Sequence, residues 1–133
     1  MYLNSKNNVI DTADIIESTV NASPAFPREV MLEVLQKKAV SVILSQNHPS
    51  RNPEPSTSDR NLTRELVSAG KVLDIDVLDH IIIGDNLHFS FAAERLIGKY
   101  EFDYMTLKMT GTAEAKRSQT SARISLRLSG KNP

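Results

Sequence analysis

The sequence of 133 residues predicts an α/β fold, a mixed β-sheet flanked by helices, on three observations. Short apolar runs of strand-favouring residues alternate with segments whose apolar residues recur every three or four positions. Pro, Gly and Asn clusters punctuate the boundaries between them. The composition, 40% hydrophobic and 24% charged with 5 Gly and 6 Pro, is that of a folded chain rather than a disordered or low-complexity one. A chain of this length builds one modest core and excludes a multidomain machine.

Taken in order, Leu3 to Val20 reads as two short extended pieces broken at Asn4-Ser5-Lys6-Asn7-Asn8, with Val9, Ile10, Ile15, Ile16 and Val20 favouring strand. A helix follows: Pro27 suits its first turn, Phe26, Val30, Met31, Val34 and Leu35 supply an apolar face, and Lys37 and Lys38 suit its C-terminal dipole. Ala39 to Leu44 is a nearly continuous apolar run, the mark of a buried central strand, and it stops at Gln46-Asn47-His48-Pro49. Ser50 to Ser58, with Pro53 and Pro55, is a loop. A second helix starts at Ser56, with Asp59 three residues on in capping-box spacing. Leu62, Leu66, Val67 and Leu73 line its buried face, and Gly70 marks its end or an interruption. Val77 to Ile83 and Leu87 to Phe91 form a strand pair around Gly84-Asp85-Asn86. Beyond Ile97 the pattern weakens: Thr106–Met109 and Ile124–Leu128 read as edge strands, and the polar stretch from Gly111 to Ala122 between them reads as mobile.

The 16 Lys+Arg and 16 Asp+Glu balance overall but divide along the chain. Residues 1–98 hold 9 basic and 13 acidic side chains, residues 99–133 hold 7 and 3, so an acidic body carries a basic C-terminal extension. Such an extension is a solvated surface or a contact for nucleic acid or an acidic partner. No Cys is present, which excludes disulfides, a thiolate nucleophile and Cys-ligated zinc or iron–sulfur centres; any metal falls to His, Asp or Glu. MYLNSKNNVI lacks the basic flank and apolar core of a signal peptide, and no apolar run reaches the ~20 residues of a membrane span. A cytoplasmic protein without membrane contact is the expectation.

Polar chemistry concentrates where the apolar strand ends and the second helix begins. His48, just after the strand, and Asp59, in the helix's first turn, can converge on one metal ion through a ring nitrogen and a carboxylate oxygen. Two ligands are too few, because a catalytic zinc takes three protein ligands and a water, with a carboxylate nearby to accept the water's proton. Each residue also has a structural explanation. His48 before Pro49 can hydrogen-bond in a turn, and Ser56 with Asp59 is a helix cap. His80 within a strand reads as a satisfied structural histidine, and His88, alternating with Leu87 and Phe89, faces solvent.

The run SVILSQNHPSRNPEPSTSDRNLTRELVSAGKVLDIDVLDHIIIGD resembles the RadC family, a bacterial branch of the JAB/MPN (JAMM) metallopeptidase-like domains, from about Asn7 to Ile97. The family signature is His-x-His-Pro, six residues, Ser, two residues, Asp, and His48-Pro49, Ser56 and Asp59 match its spacing. The resemblance implies an MPN/JAB architecture of the cytidine-deaminase-like kind over residues 1–98, shortened at its N-terminus relative to the family, with residues 99–133 as an extension. It implies zinc held by two His and the Asp, an oxyanion-stabilising Ser, a water-polarising Glu on an early strand, hydrolysis of peptide or isopeptide bonds, and a historical link to DNA repair. Carried over by position, His48 and Asp59 are metal ligands and Ser56 is the oxyanion-side Ser. Gln46 stands where the first His belongs, and an amide oxygen is a neutral, weak zinc donor. Ala13 stands at the Glu position, with Asp14 or Glu17 as substitutes only if the register slips. Two functions follow as alternatives: a zinc metallohydrolase with weakened activity, or a noncatalytic module binding protein or nucleic acid, including a decayed mobile-element remnant. Strand alternation predicts that residue 13 faces the site and that Asp14 and Glu17 do not.

Overall fold

A computed structural model describes residues 1–14 and 26–118, with the side chains of Phe26 and of residues 112–118 excepted. Ile15, Ile16, Glu17, Val20 and the strand expected at Ile124–Leu128 lie outside the described residues. The described residues divide into two compact units between Phe102 and Asp103. The elements are β1 (Tyr2–Leu3), β2 (Val9–Asp11), α1 (Phe26–Gln36), β3 (Ser41–Asn47), α2 (Thr57–Leu73), β4 (Asp76–Ile83), β5 (His88–Ser90) and α3 (Leu96–Ser118). The five strands make one mixed sheet in the order β2-β1-β3-β4-β5. This is the α/β architecture of JAB/MPN domains, as expected.

The opening hairpin closes through Asn4, whose side-chain oxygen accepts from the amides of Lys6 and Asn8 at 2.9 and 3.0 Å, while Asn7 takes the left-handed conformation at φ 60°. β1 pairs antiparallel with both β2 and β3. β3 and β4 are parallel, which two consecutive strands of one sheet achieve only through a crossover, and α2 is that crossover. β4 and β5 pair antiparallel around Gly84.

The core lies between the sheet and its helices. Val30, Met31 and Val34 of α1 and Leu66 and Val67 of α2 are buried together with Val42 and Ile82 of the sheet. Each such side chain, fully removed from water, contributes about 1.5–3 kcal/mol. Leu35 and Leu73, expected on the buried faces, are exposed, because each helix is already past its last core contact at those positions. α2 continues through Gly70 to Leu73 and stops at Asp74, left-handed at φ 58°. Gly70 is required by close approach: a Cβ there would sit 2.3 Å from the carbonyl oxygen of Ile75.

The expected edge strand at Thr106–Met109 is instead part of α3, and so are residues 111–118 of the stretch expected to be mobile. Met, Leu, Lys, Ala and Glu between Met105 and Lys116 favour helix and outweigh the threonines and Gly111. β3 likewise runs to Asn47, so Gln46 is a strand residue.

Candidate functional site

The site forms where β3 meets α2. Pairing with β4 carries β3 to its end, and the His48 amide extends that ladder by donating to the Ile83 carbonyl at 3.0 Å. The loop that follows is pinned against the β4–β5 turn: Asp85 N donates to Arg51 O at 2.9 Å, and a Cβ on Gly84 would lie 2.4 Å from that same oxygen. Ser56 then caps α2. Its hydroxyl accepts from Asp59 N at 3.1 Å, while its amide donates to Asp59 Oδ2 at 2.8 Å, completing the capping box.

These supports bring the three side chains together. His48 Nε2 lies 2.9 Å from Asp59 Oδ2, Gln46 Nε2 donates to Asp59 Oδ1 at 2.7 Å, and Gln46 Nε2 lies 3.3 Å from His48 Nε2. His48 Nδ1 faces the Asn52 carbonyl at 2.8 Å and so carries a proton there. Nε2 then faces the Asp59 carboxylate at 2.9 Å across a gap that a second ring proton or a shared cation would bridge. Burial alone would raise the Asp59 carboxyl, but hydrogen bonds from Gln46, Ser56 and His48 overcome it and hold the group below the usual carboxylate range.

Beneath the cluster lies a second layer. Thr63 Oγ1 donates to Asp59 O at 2.7 Å and sits 2.7 Å from His80 Nδ1. With the hydroxyl proton committed to the carbonyl, His80 must donate Nδ1–H to Thr63. The His80 ring is 1% exposed and stacks on Phe91 at 5.0 Å with the planes 9° apart. Burial pushes its imidazole below the ordinary histidine value, against the pull of Asp59 and Asp79, and favours the neutral form. His80 is thus the satisfied structural histidine expected, and His88 is exposed. Thr63 went unnoticed in the sequence, although it stands four residues from Asp59 on the same helix face.

A cavity of about 670 Å³ opens beside the cluster, lined there by Gln46, His48, Asp59 and His80. Ala13 and Asp14 both line it. β2 ends at Asp11, so the two-residue period no longer governs residues 12–14. Ser56 is not among the lining residues; its polar groups serve the cap.

The donor set does not fit a three-ligand zinc centre. His48 and Asp59 offer a lone pair and a charge, but the Gln46 amide turns toward the carboxylate its nitrogen, a hydrogen-bond donor and no ligand. Among the described residues no group of three or more His, Asp or Glu side chains is placed to share a metal ion.

The strand-end histidine, the capping-box Asp and the mixed sheet around them define an α/β domain of the JAB class. The profile of the RadC-like JAB domain matches residues 1–96, and the chain belongs to that family. It is similar to the UPF0758 protein of Clostridioides difficile, 42% identical over 97 residues that cover 73% of this chain and 41% of that protein. The UPF0758 protein of Symbiobacterium thermophilum is 46% identical over 97 residues, 73% of this chain and 42% of the relative. That of Shouchella clausii is 47% identical over 90 residues, 68% and 39% respectively. The chain thus spans about two fifths of the length of these curated relatives. Among the described residues no helix is long and apolar enough to cross a membrane.

Proposed function

We propose that this chain is a noncatalytic RadC-like JAB module that binds polypeptide, its metallohydrolase site replaced by a hydrogen-bonded His48–Asp59–Gln46 cluster. The observation that carries this reading is the 2.7 Å bond from Gln46 Nε2 to Asp59 Oδ1. It turns an amide nitrogen, which donates and does not ligate, toward the carboxylate where the family signature has an imidazole. The Ala13 methyl, at the position of the family's water-polarising Glu, accepts no proton. A cleft of about 670 Å³ remains beside the cluster, within the ~300–1,000 Å³ range of ligand-holding clefts.

The second reading, a zinc hydrolase of weakened activity, is favoured by one observation: Asp14 lines the same cavity. A fluorogenic peptide and an isopeptide-linked substrate, each assayed with added zinc and with chelator, separate the two. The wild type and Gln46→His are expected to show no chelator-sensitive hydrolysis; only Gln46→His combined with Ala13→Glu regains ligand and base together. Chelator-sensitive turnover by the wild type, lost in Asp14→Asn, establishes the second reading instead.

A further inference from the structure

α1 and α2 end side by side. β3 and β4 are parallel, and each helix leads into its strand through a short turn, residues 37–40 after α1 and 74–75 after α2, so both helix C-termini lie at the end of β3 opposite the candidate site. The two turns are tied together, Asp76 N donating to Val40 O at 3.0 Å. Each turn holds one left-handed residue, Lys38 at φ 52° and Asp74 at φ 58°. Lys38 closes α1 in the manner usual for a glycine, its amide donating to Leu35 O and that of Ala39 to Val34 O, both at 3.1 Å.

The face made by these turns carries exposed apolar side chains and a charge of each sign. Leu35 is 52% exposed, Val40 42% and Leu73 43%. Lys38 lies on the β3 side and Asp74 and Asp76 on the β4 side, all three exposed. Among the described residues none of these three forms an ion pair. Lys38 suits the negative end of α1, whereas Asp74 sits at the negative end of α2 with Asp76, a second carboxylate, two residues on. The single chain therefore leaves Leu35, Val40 and Leu73 in water and two carboxylates where a cation is favoured. A surface that relieves both must be apolar with a lysine beside it, and this face is itself such a surface. A two-fold axis between the turns lays the α1–β3 turn of one copy on the α2–β4 turn of the other, so that Leu35 and Val40 meet Leu73, and Lys38 meets Asp74 and Asp76.

We propose that a second copy of this chain binds this face, forming a two-fold dimer held by those contacts. The face is small, so association is weak and concentration-dependent, at the low end of specific interfaces. The candidate sites lie at the opposite ends of the two β3 strands and stay open, so the dimer presents two clefts.

Sedimentation equilibrium of the full chain from about 10 to about 500 µM tests association, and carbodiimide cross-linking of an equimolar mixture of ¹⁴N- and ¹⁵N-labelled chains tests the face. The average mass is expected to climb toward twice that of the chain, and mixed-isotope cross-linked peptides are expected to join Lys38 to Asp74 or Asp76. Lys38→Glu, and separately Asp74→Lys with Asp76→Lys, set like charges across the axis and are each expected to weaken association at least about tenfold. The substituted side chains are exposed, so melting temperatures are expected to stay near that of the wild type. An equimolar mixture of the two variants restores opposite charges and is expected to dimerise again. A wild type that stays monomeric across the range, a dimer whose mixed-isotope cross-links leave out Lys38, a dimer unmoved by both charge reversals, or a variant mixture that stays monomeric would each overturn the proposal.

Discussion

Asp59 receives donors from three directions: the Gln46 amide, the Ser56 amide and the His48 ring. Gln46 is the donor whose replacement changes the chemistry most. Gln46→His exchanges the amide for an imidazole lone pair and gives the carboxylate and His48 a third ligand in a site that is already assembled. Zinc is expected to raise the melting temperature of this variant with concentration, by about 2.7 kcal/mol of added stability at a hundredfold excess over Kd, and to leave the wild type nearly unmoved. Thermal melts across a zinc series check this; equal shifts in both proteins would refute ligand loss at Gln46. His80 supplies a second prediction at this scale. Burial places its folded-state pKa below the unfolded value of about 6.5, so as pH falls the unfolded chain takes up the proton first. Stability from this group is complete above about pH 6.5 and declines as pH drops from there toward the folded pKa. Urea unfolding at pH 7.5 and pH 5.5 is expected to show the decline, with a smaller decline in His80→Gln, which keeps a donor for Thr63 and does not titrate. An unchanged difference between the two pH values in the variant would remove His80 as its source.

At the scale of elements, the site depends on where α2 and the loop before it are anchored. Gly70 lets the last turn of α2 lie on the chain entering β4, with Ile75 N donating to Gly70 O at 2.8 Å. Gly70→Ala would gain helix propensity of about 1 kcal/mol but drive a methyl into the Ile75 carbonyl, and forced overpacking of that kind costs about 1–3 kcal/mol. Net destabilisation is expected by denaturant unfolding; a stabilised variant would show the approach to be looser than described. Arg51 holds φ 62° between His48 and the cap, a conformation that costs a residue with a Cβ about 1–2 kcal/mol. Arg51→Gly is therefore expected to stabilise the domain by roughly 0.5–1 kcal/mol after the entropy of the added glycine is counted, since the ion pair it loses among the described residues, to Asp85 at 3.7 Å, is exposed. Destabilisation would mean that the Arg51 side chain holds the loop. The capping box at Ser56 and Asp59 was legible because it rests on one hydroxyl and one carboxylate at a fixed spacing. The end of β2 was not, because nothing local in Asp11-Thr12-Ala13-Asp14 marks where pairing with β1 stops. α3 was misread at Thr106–Met109 for a related reason: four residues cannot decide between a strand and a helix whose extent depends on its neighbours.

For the whole molecule, the mixed sheet flanked by helices was legible in the alternation of apolar patterns and the convergence of His48 and Asp59 in motif spacing, whereas the strand order was not, because no local pattern reveals which strands pair. The fold places β3's end, the capped start of α2 and the cavity together, so that the cluster closes on itself through Gln46 while the cleft stays open alongside. That closure is the central claim, and the zinc content of untagged protein purified without chelator tests it most directly. Elemental analysis should find zinc far below one ion per chain, even after dialysis against zinc-containing buffer and desalting. One tightly held zinc per chain, lost when His48 or Asp59 is replaced by Ala, would contradict it.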